Sequence, residues 1–125
     1  MRILIDSHTA YWWANDPRQI TQEAREKIID PHNEVFLSSV TAWELGLKAS
    51  KGKLDLPDDL FENLASEGIK DLSFSQAHAV ASIALPPFHK DPFDRALVAQ
   101  CQVESMTLAT RDGYVKKYGI AILEV

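Results

Sequence analysis

The sequence predicts an α/β fold in which helices cover both faces of a central, mainly parallel sheet of roughly five strands. Short apolar runs alternate with helical segments along the chain, an order that requires a parallel sheet with right-handed crossovers. The runs Ile3-Leu4-Ile5 and Val35-Phe36-Leu37 are continuous, as in strands buried on both faces. Because no repeat or linker interrupts the pattern, we expect one domain over residues 1–125, a three-layer α/β/α arrangement.

The composition suits a globular protein. Of 125 residues, 46% are hydrophobic and 25% charged, which is enough to build a core. The net charge of −5, without a basic block, means that any surface contacting nucleic acid must be local. The single cysteine, Cys101, excludes internal disulfides and multi-cysteine metal sites. Neither a membrane span nor a signal peptide is evident, so we expect a cytoplasmic protein.

The first half of the chain predicts two strands and three helices. In order they are strand 2–5, helix 7–15, helix 21–30, strand 34–38 and helix 40–51. Thr21 is a favourable N-cap. Asp16-Pro17 ends the first helix and Pro31 ends the second. In the third helix, Val40, Trp43 and Leu47 are predicted to face inward, with Leu45 as a further candidate.

The second half predicts four helices and three strands. In order they are helix 58–68, strand 69–73, helix 75–85, helix 91–104, strand 106–109, helix 110–118 and strand 120–125. Asp58 and Asp59 favour a helix start through the helix dipole, and Gly68 ends that helix. Asp91 as N-cap and Pro92 at the first helical position open a strong helix.

Four acids follow predicted strands or begin the helices after them: Asp6, Glu44, Asp94 and Asp112. Ligands of open α/β sheets bind outside the carboxyl ends of the strands, so chain reversal can bring these side chains together. Each acid also has a structural explanation as a helix cap or dipole partner. The pairs that would act in this way are Thr41 with Glu44, Asp91 with Asp94, and Thr110 with Asp112. Taken together, the four positions favour a site, since an unpaired carboxylate after a buried strand is costly.

Four carboxylates in one cleft repel each other unless a cation holds them. Hard oxygen ligands select Mg²⁺ or Mn²⁺, as one or two ions. Such ions polarise a phosphodiester and lower the pKa of an attacking water. The chemistry predicted is metal-dependent phosphoryl transfer to water.

Four segments resemble the PIN-domain ribonucleases, and more narrowly the VapC-like toxins of type II toxin–antitoxin pairs. They are Leu4-Ile5-Asp6-Ser7-His8, Ser39-Val40-Thr41-Ala42-Trp43-Glu44-Leu45, His89-Lys90-Asp91-Pro92-Phe93-Asp94-Arg95 and Leu108-Ala109-Thr110-Arg111-Asp112. The resemblance covers essentially the whole chain. It implies a divalent-metal endoribonuclease that cleaves single-stranded RNA.

By this resemblance Asp6, Glu44 and Asp94 match the core acidic triad, and Asp112 the fourth acid. Asp6 and Asp94 would carry the principal metal, and Glu44 would complete its shell and orient water. Asp112 would support a second ion, either as a direct ligand or only through water, since the last acid varies in the family. Ser7 stands where threonine is commoner in this subgroup and preserves the hydroxyl.

The resemblance also implies two protein partners, a cognate antitoxin that wraps the toxin and blocks the cleft, and a second copy in a homodimer. Large apolar residues on short helices agree with such surfaces. They include Trp12, Trp13, Phe61 and Leu64.

Several polar residues near the acids have two interpretations. Lys48 could pair with Glu44 four residues earlier or face a phosphate. Arg95 and Arg111 each adjoin a proposed ligand and could contact phosphate or support the site. His89 and His8 flank the acids, and we expect cap or loop roles for both.

Two other functions share this architecture. A phosphotransfer domain would need an acidic pair at the first strand or an Asp-x-Asp motif, but position 8 is histidine. A non-catalytic module could keep the fold and bind RNA or protein without cutting. The intact acids argue against this module.

Overall fold

A computed structural model describes all residues from 1 to 125. Its sheet has five strands in the order β3-β2-β1-β4-β5, and every neighbouring pair is parallel. The strands are β1 (Arg2–Ile5), β2 (Glu34–Ser38), β3 (Lys70–Leu72), β4 (Thr107–Thr110) and β5 (Ile122–Glu124). The predicted fold class and the central position of the first strand are therefore confirmed.

Six α-helices connect the strands. They are α1 (Ser7–Asn15), α2 (Gln22–Ile29), α3 (Ser39–Ser50), α4 (Leu60–Ser66), α5 (Gln76–Ala84) and α6 (Pro92–Glu104), with 3-10 turns at Pro17–Gln19 and Val115–Tyr118. None of these helices combines the length and apolar character needed to cross a bilayer.

Two clusters of buried side chains fill the space between the sheet and its helices. Ile3 and Ile5 of β1 join the cluster that includes residues of α1, α2 and α4. Leu4, between them, joins the cluster formed mostly by α6 and β4, where Cys101 is also buried. Successive side chains of a strand point to opposite faces, so β1 anchors both layers.

The strand order places a topological switch point beside β1. From β1 the chain continues to β2 and β3 on one side, and later adds β4 and β5 on the other. Parallel sheets open a crevice at such a point, at the carboxyl ends of the strands. Asp6 follows β1 and Asp112 follows β4, so both acids lie at this crevice.

Two predictions about local structure are wrong. Residues 110–118 are not one helix, because Thr110 still belongs to β4 and only Val115–Tyr118 forms a 3-10 turn. Asp112 Oδ1 accepts the Tyr114 N–H at 2.8 Å and closes a turn there instead. Trp43 is 63% exposed, because the buried stripe of α3 runs through Val40, Thr41, Glu44 and Leu45.

Candidate active site

Asp6 is the N-cap of α1, and hydrogen bonds hold both of its carboxylate oxygens. Oδ1 accepts from the Thr9 backbone N–H at 2.9 Å and from the Thr9 hydroxyl at 2.6 Å. Oδ2 accepts from the Thr110 hydroxyl at 2.6 Å. The capping role considered for Asp6 is therefore present. These bonds also fix the orientation of a buried carboxylate whose remaining lone pairs can bind a cation.

Glu44 lies in the second turn of α3 and is not part of a capping box. The N-cap of α3 is Ser38, whose hydroxyl accepts from the Val40 N–H. The buried Glu44 carboxylate instead accepts from the Ser7 hydroxyl and lies 3.0 Å from Lys48 Nζ. Its contacts thus join the helix after β2 to the residue that follows Asp6.

Asp94 lies in the first turn of α6, and the pKa of its carboxyl is raised from 3.8 to about 7. Burial is the largest cause of the raised pKa, the negative charges of Asp91, Glu44 and Asp6 add to it, and His89 opposes it. Asp91 is the N-cap of this helix and accepts the Phe93 N–H, as predicted. Asp94 makes no reciprocal capping bond, because the Asp91 N–H goes to His89 Nδ1.

Asp112 follows β4, and both of its oxygens are engaged. Oδ1 accepts from the Tyr114 N–H, and Oδ2 lies 2.6 Å from His89 Nε2. The same His89 nitrogen is 3.2 Å from Asp94 Oδ2. The imidazole therefore stands between two of the four predicted acids.

All four acids line one cleft of about 360 Å³. The closest donor atoms are those of His89, Asp94 and Asp112, which lie within 4.8 Å of one another. No three of the four acids are this close. The convergence of acids from separate parts of the chain is the arrangement expected of a divalent-metal centre, and oxygen donors suit a hard cation.

Three of the four predicted substrate-binding residues also line the cleft: Ser7, Lys48 and Arg111. Lys48 makes the ion pair with Glu44 and remains partly exposed. Arg111 donates to the backbone carbonyls of Val125 and Gln19, and its guanidinium lies 4.4 Å from the centroid of the Trp12 ring. These contacts leave positive charge at the rim of an acidic cleft.

Arg95 lies outside the cleft lining, and its predicted contact with phosphate is not supported. One terminal nitrogen donates to the carbonyls of Ser82 and Leu85, and the other to that of Pro86 at 2.9 Å. The second nitrogen also meets the Tyr118 hydroxyl at 3.3 Å. The guanidinium is therefore committed to the loop before α6, which fits the supporting role that the sequence had left open.

Four residues of the site were not assigned to it from the sequence. Thr9 and Thr110 hold Asp6, Trp12 lies beneath Arg111, and His89 bridges two acids. His89 was expected to have only a cap or loop role. Its place in the segment His89-Lys90-Asp91-Pro92-Phe93-Asp94-Arg95, five residues before Asp94, was the available indication.

Comparison with known families agrees with this geometry. Residues 3–121 match the family model described as PIN domain. The chain belongs to the PIN domain family. The match covers β1 from Ile3 onward and all of β2, β3 and β4, ends just before β5, and contains each of the four acids.

One protein similar in sequence and two solved structures resemble the chain over nearly its full length. Ribonuclease VapC22 of Mycobacterium tuberculosis is 26% identical over 119 residues, covering 93% of this chain and 91% of the relative. The crystal structure of VapBC2 from Rickettsia felis bound to a promoter DNA fragment has a TM-score of 0.72 at 14% identity, covering 99% and 98% of the two chains. FitAcB from Neisseria gonorrhoeae gives a TM-score of 0.63 at 21% identity, covering 97% and 96%. At these identities the solved structures bear on the fold alone.

Proposed function

We propose that this PIN-domain protein is a divalent-metal-dependent endoribonuclease and the toxin of a type II toxin–antitoxin pair. The observation that carries the proposal is the cleft at the switch point, which gathers Asp6, Glu44, Asp94 and Asp112 from separate segments. The name of the Mycobacterium tuberculosis relative, Ribonuclease VapC22, supports the same activity. We place this activity in the cytoplasm.

The metal we propose is Mg²⁺ or Mn²⁺, because the carboxylates offer hard oxygen donors. Asp6, Glu44 and Asp94 would hold it, with Asp112 as the fourth acid. When bound, such an ion polarises the phosphodiester and lowers the pKa of a water molecule. Burial and the negative charge of Asp91, with smaller contributions from Glu44 and Asp6, raise the pKa of Asp94, and a cation bound here would offset both causes.

The remaining polar residues would position the RNA. Lys48 and Arg111 place positive charge at the cleft and would contact backbone phosphates on either side of the cleaved bond. The Ser7 hydroxyl holds the Glu44 carboxylate, and Glu44 would accept a hydrogen bond from the attacking water. Trp12 fixes the Arg111 guanidinium by lying beneath it.

The partners we propose are an antitoxin and a second copy of the chain. The structurally similar proteins include VapBC2 from Rickettsia felis, VapBC from Salmonella typhimurium and FitAB, each bound to DNA, and these complexes support a protein partner for this fold. The four apolar residues that the sequence suggested for these surfaces are largely covered. Leu64 is buried, and Trp12, Trp13 and Phe61 are partly buried against the core. Large exposed apolar side chains occur instead at Trp43, Val80 and Ile83.

The test compares wild type with Asp6→Asn on structured RNA containing single-stranded loops, with Mn²⁺ and with EDTA. Asparagine keeps the cap of α1 but removes the charge, so we expect cleavage to fall by at least about 100-fold while the fold persists. Asp30→Asn is the matched control, because Asp30 precedes β2 and so lies near the amino ends of the strands, away from the cleft at their carboxyl ends. It should cut like wild type.

Cleavage that survives Asp6→Asn or EDTA would exclude the metal mechanism. RNA that is retained but never cut by wild type would favour the non-catalytic binding module. Co-expression with the product of the neighbouring reading frame tests the partner, which should co-purify and suppress cleavage.

A further inference from the structure

The position between Asp94 and Asp112 is already filled by a side chain of the protein. His89 Nε2 lies 2.6 Å from Asp112 Oδ2 and 3.2 Å from Asp94 Oδ2. These are the only two of the four acids that take part in a group of donors within 4.8 Å. The two carboxylates are close where an imidazole nitrogen joins them, as they would be if a cation joined them.

The contact of His89 Nδ1 shows which ring nitrogen of His89 carries the hydrogen. His89 Nδ1 lies 3.0 Å from the backbone nitrogen of Asp91, which can only donate. Nδ1 is therefore the acceptor, and the ring hydrogen is on Nε2. A nitrogen that carries hydrogen cannot offer its lone pair to a metal. In this arrangement His89 is a hydrogen-bond donor to the acids and not a metal ligand.

The backbone of His89 is held in place as firmly as its ring. The Tyr118 hydroxyl accepts the His89 N–H at 3.0 Å and donates to the Pro86 carbonyl at 2.8 Å. Arg95 binds the carbonyls of Leu85 and Pro86 in the same loop. The imidazole is thus positioned by a network that does not depend on the acids, which is what a preformed site requires.

We infer that the Nε2–H of His89 takes the place of a second cation between Asp94 and Asp112, so that the cleft holds one divalent ion, at Asp6, Glu44 and Asp94. His89 is then a positioning residue: it orients Asp94 toward the remaining ligands. Asp112 acts through His89 and is not a ligand. This inference rests on the proposed metal-dependent function, but it concerns the number of ions and not the cleavage itself.

The experiment titrates the full chain with Mn²⁺ in the absence of RNA, by calorimetry and by the electron paramagnetic resonance of free Mn²⁺. We expect one bound ion per chain in wild type. In Asp112→Asn the same single ion should bind, with a dissociation constant changed by less than about threefold, because the amide oxygen still accepts from Nε2–H. His89→Ala should bind two ions, and His89→Ala combined with Asp112→Asn should return to one.

The matched control is His8→Ala, which removes the histidine that lines the cleft itself. The His8 ring stacks on Trp12, with 5.5 Å between the ring centroids. We expect His8→Ala to bind one Mn²⁺ ion per chain, as wild type does. Electron spin-echo modulation adds an independent readout. Nitrogen coupling to bound Mn²⁺ should be absent in wild type, whereas a directly bound imidazole would produce it.

Two ions in wild type, with one lost in Asp112→Asn, would overturn the inference while leaving the nuclease proposal intact. So would nitrogen coupling that disappears in His89→Ala, or an unchanged single ion in a folded His89→Ala. If wild type binds no Mn²⁺ at all, the proposed function fails and the inference fails with it. The wild-type and Asp112→Asn titrations decide the matter even if His89→Ala does not fold.

Discussion

Two histidine rings in this molecule make the same pair of hydrogen bonds in different surroundings. His78, in the first turn of α5, accepts the Ser75 N–H at Nδ1, at 2.9 Å, and Nε2 lies 3.0 Å from Glu104 Oε1. His89 likewise accepts a backbone N–H at Nδ1 and meets a carboxylate at Nε2. The two rings therefore carry their hydrogen on the same nitrogen.

The surroundings separate the two roles. His78 is 2% exposed, completes the capping box of α5 and joins that helix to Glu104 of α6. His89 lies behind the acidic cleft, where its Nε2 approaches two carboxylates that line it. A hydrogen-bond pattern alone does not tell a structural histidine from one that shapes a site. What distinguishes them is whether the carboxylates that contact Nε2 also line the cleft in which a cation would bind.

Removing each ring in turn tests most directly whether the two histidines have different roles. His78→Ala should lower the free energy of unfolding by about 3 kcal/mol, since it leaves a cavity and unpaired polar groups between two helices. His89→Ala should lower it by less than His78→Ala does, because the His89 side chain is 14% exposed and that of His78 only 3% exposed. Urea unfolding of both variants in EDTA measures the difference. Equal losses would mean that His89 is as structural as His78.

Asp94, one of the two acids that His89 contacts, makes the stability of the folded protein depend on pH. The Asp94 pKa is raised from 3.8 to about 7 in the folded protein, so the folded state holds a proton that the unfolded chain releases. This acid therefore lowers the free energy of unfolding progressively as pH rises from about 4 to 7, and the full penalty remains above pH 7.

Asp94→Asn should remove that penalty. We expect the metal-free variant to be more stable than wild type by about 2 kcal/mol near pH 8, after allowance for solvent screening, and equally stable near pH 4. Urea midpoints at both pH values, in EDTA, test this. A variant that is less stable than wild type near pH 8 would show that Asp94 is a favourable structural contact and not a strained ligand.

The loop that carries His89 provides the next test. Tyr118→Phe removes the hydroxyl that receives the His89 N–H and binds Pro86, so we expect a loss of about 1 kcal/mol. Amide hydrogen exchange at His89 should accelerate, while exchange at His78 should not change. Tyr114→Phe is the control, because its ring packs edge-on against His89 and its hydroxyl has no hydrogen bond. Unchanged exchange at His89 would show that Tyr118 does not hold the loop.

Local patterns in the sequence predicted most of the fold correctly. Asp91 and Pro92 fix where α6 begins, and Glu104 is its last residue, as expected. The continuous apolar run before Asp6 identified the central strand, because only a strand covered on both faces can bury such a run. From these elements the approach of the four acids followed without any knowledge of side-chain contacts.

The roles that the sequence left open or missed belong to side chains whose partners are distant in the chain. Arg95 adjoins Asp94 in sequence, yet its guanidinium points to the loop carbonyls at residues 82–86. Trp43 fitted an inward helical pattern, but the stripe that is buried includes the polar Glu44 in its place. His89 differs from His78 only through residues that the fold brings near. Such roles depend on tertiary contacts, which spacing does not encode.

The smallest effect expected concerns the carboxylate that His78 contacts. Glu104→Gln keeps an oxygen that can accept the His78 Nε2–H, and its side chain is 34% exposed, so the free energy of unfolding should change by less than about 0.5 kcal/mol. Glu104→Ala, which removes the acceptor from a buried donor, should cost about 1 kcal/mol more. Urea unfolding near pH 8, with both variants in parallel, measures the two values. A large loss in Glu104→Gln would mean that charge, and not hydrogen bonding, holds His78. The same interpretation would then apply to Asp112 at His89, where an amide in Asp112→Asn would no longer be an adequate substitute.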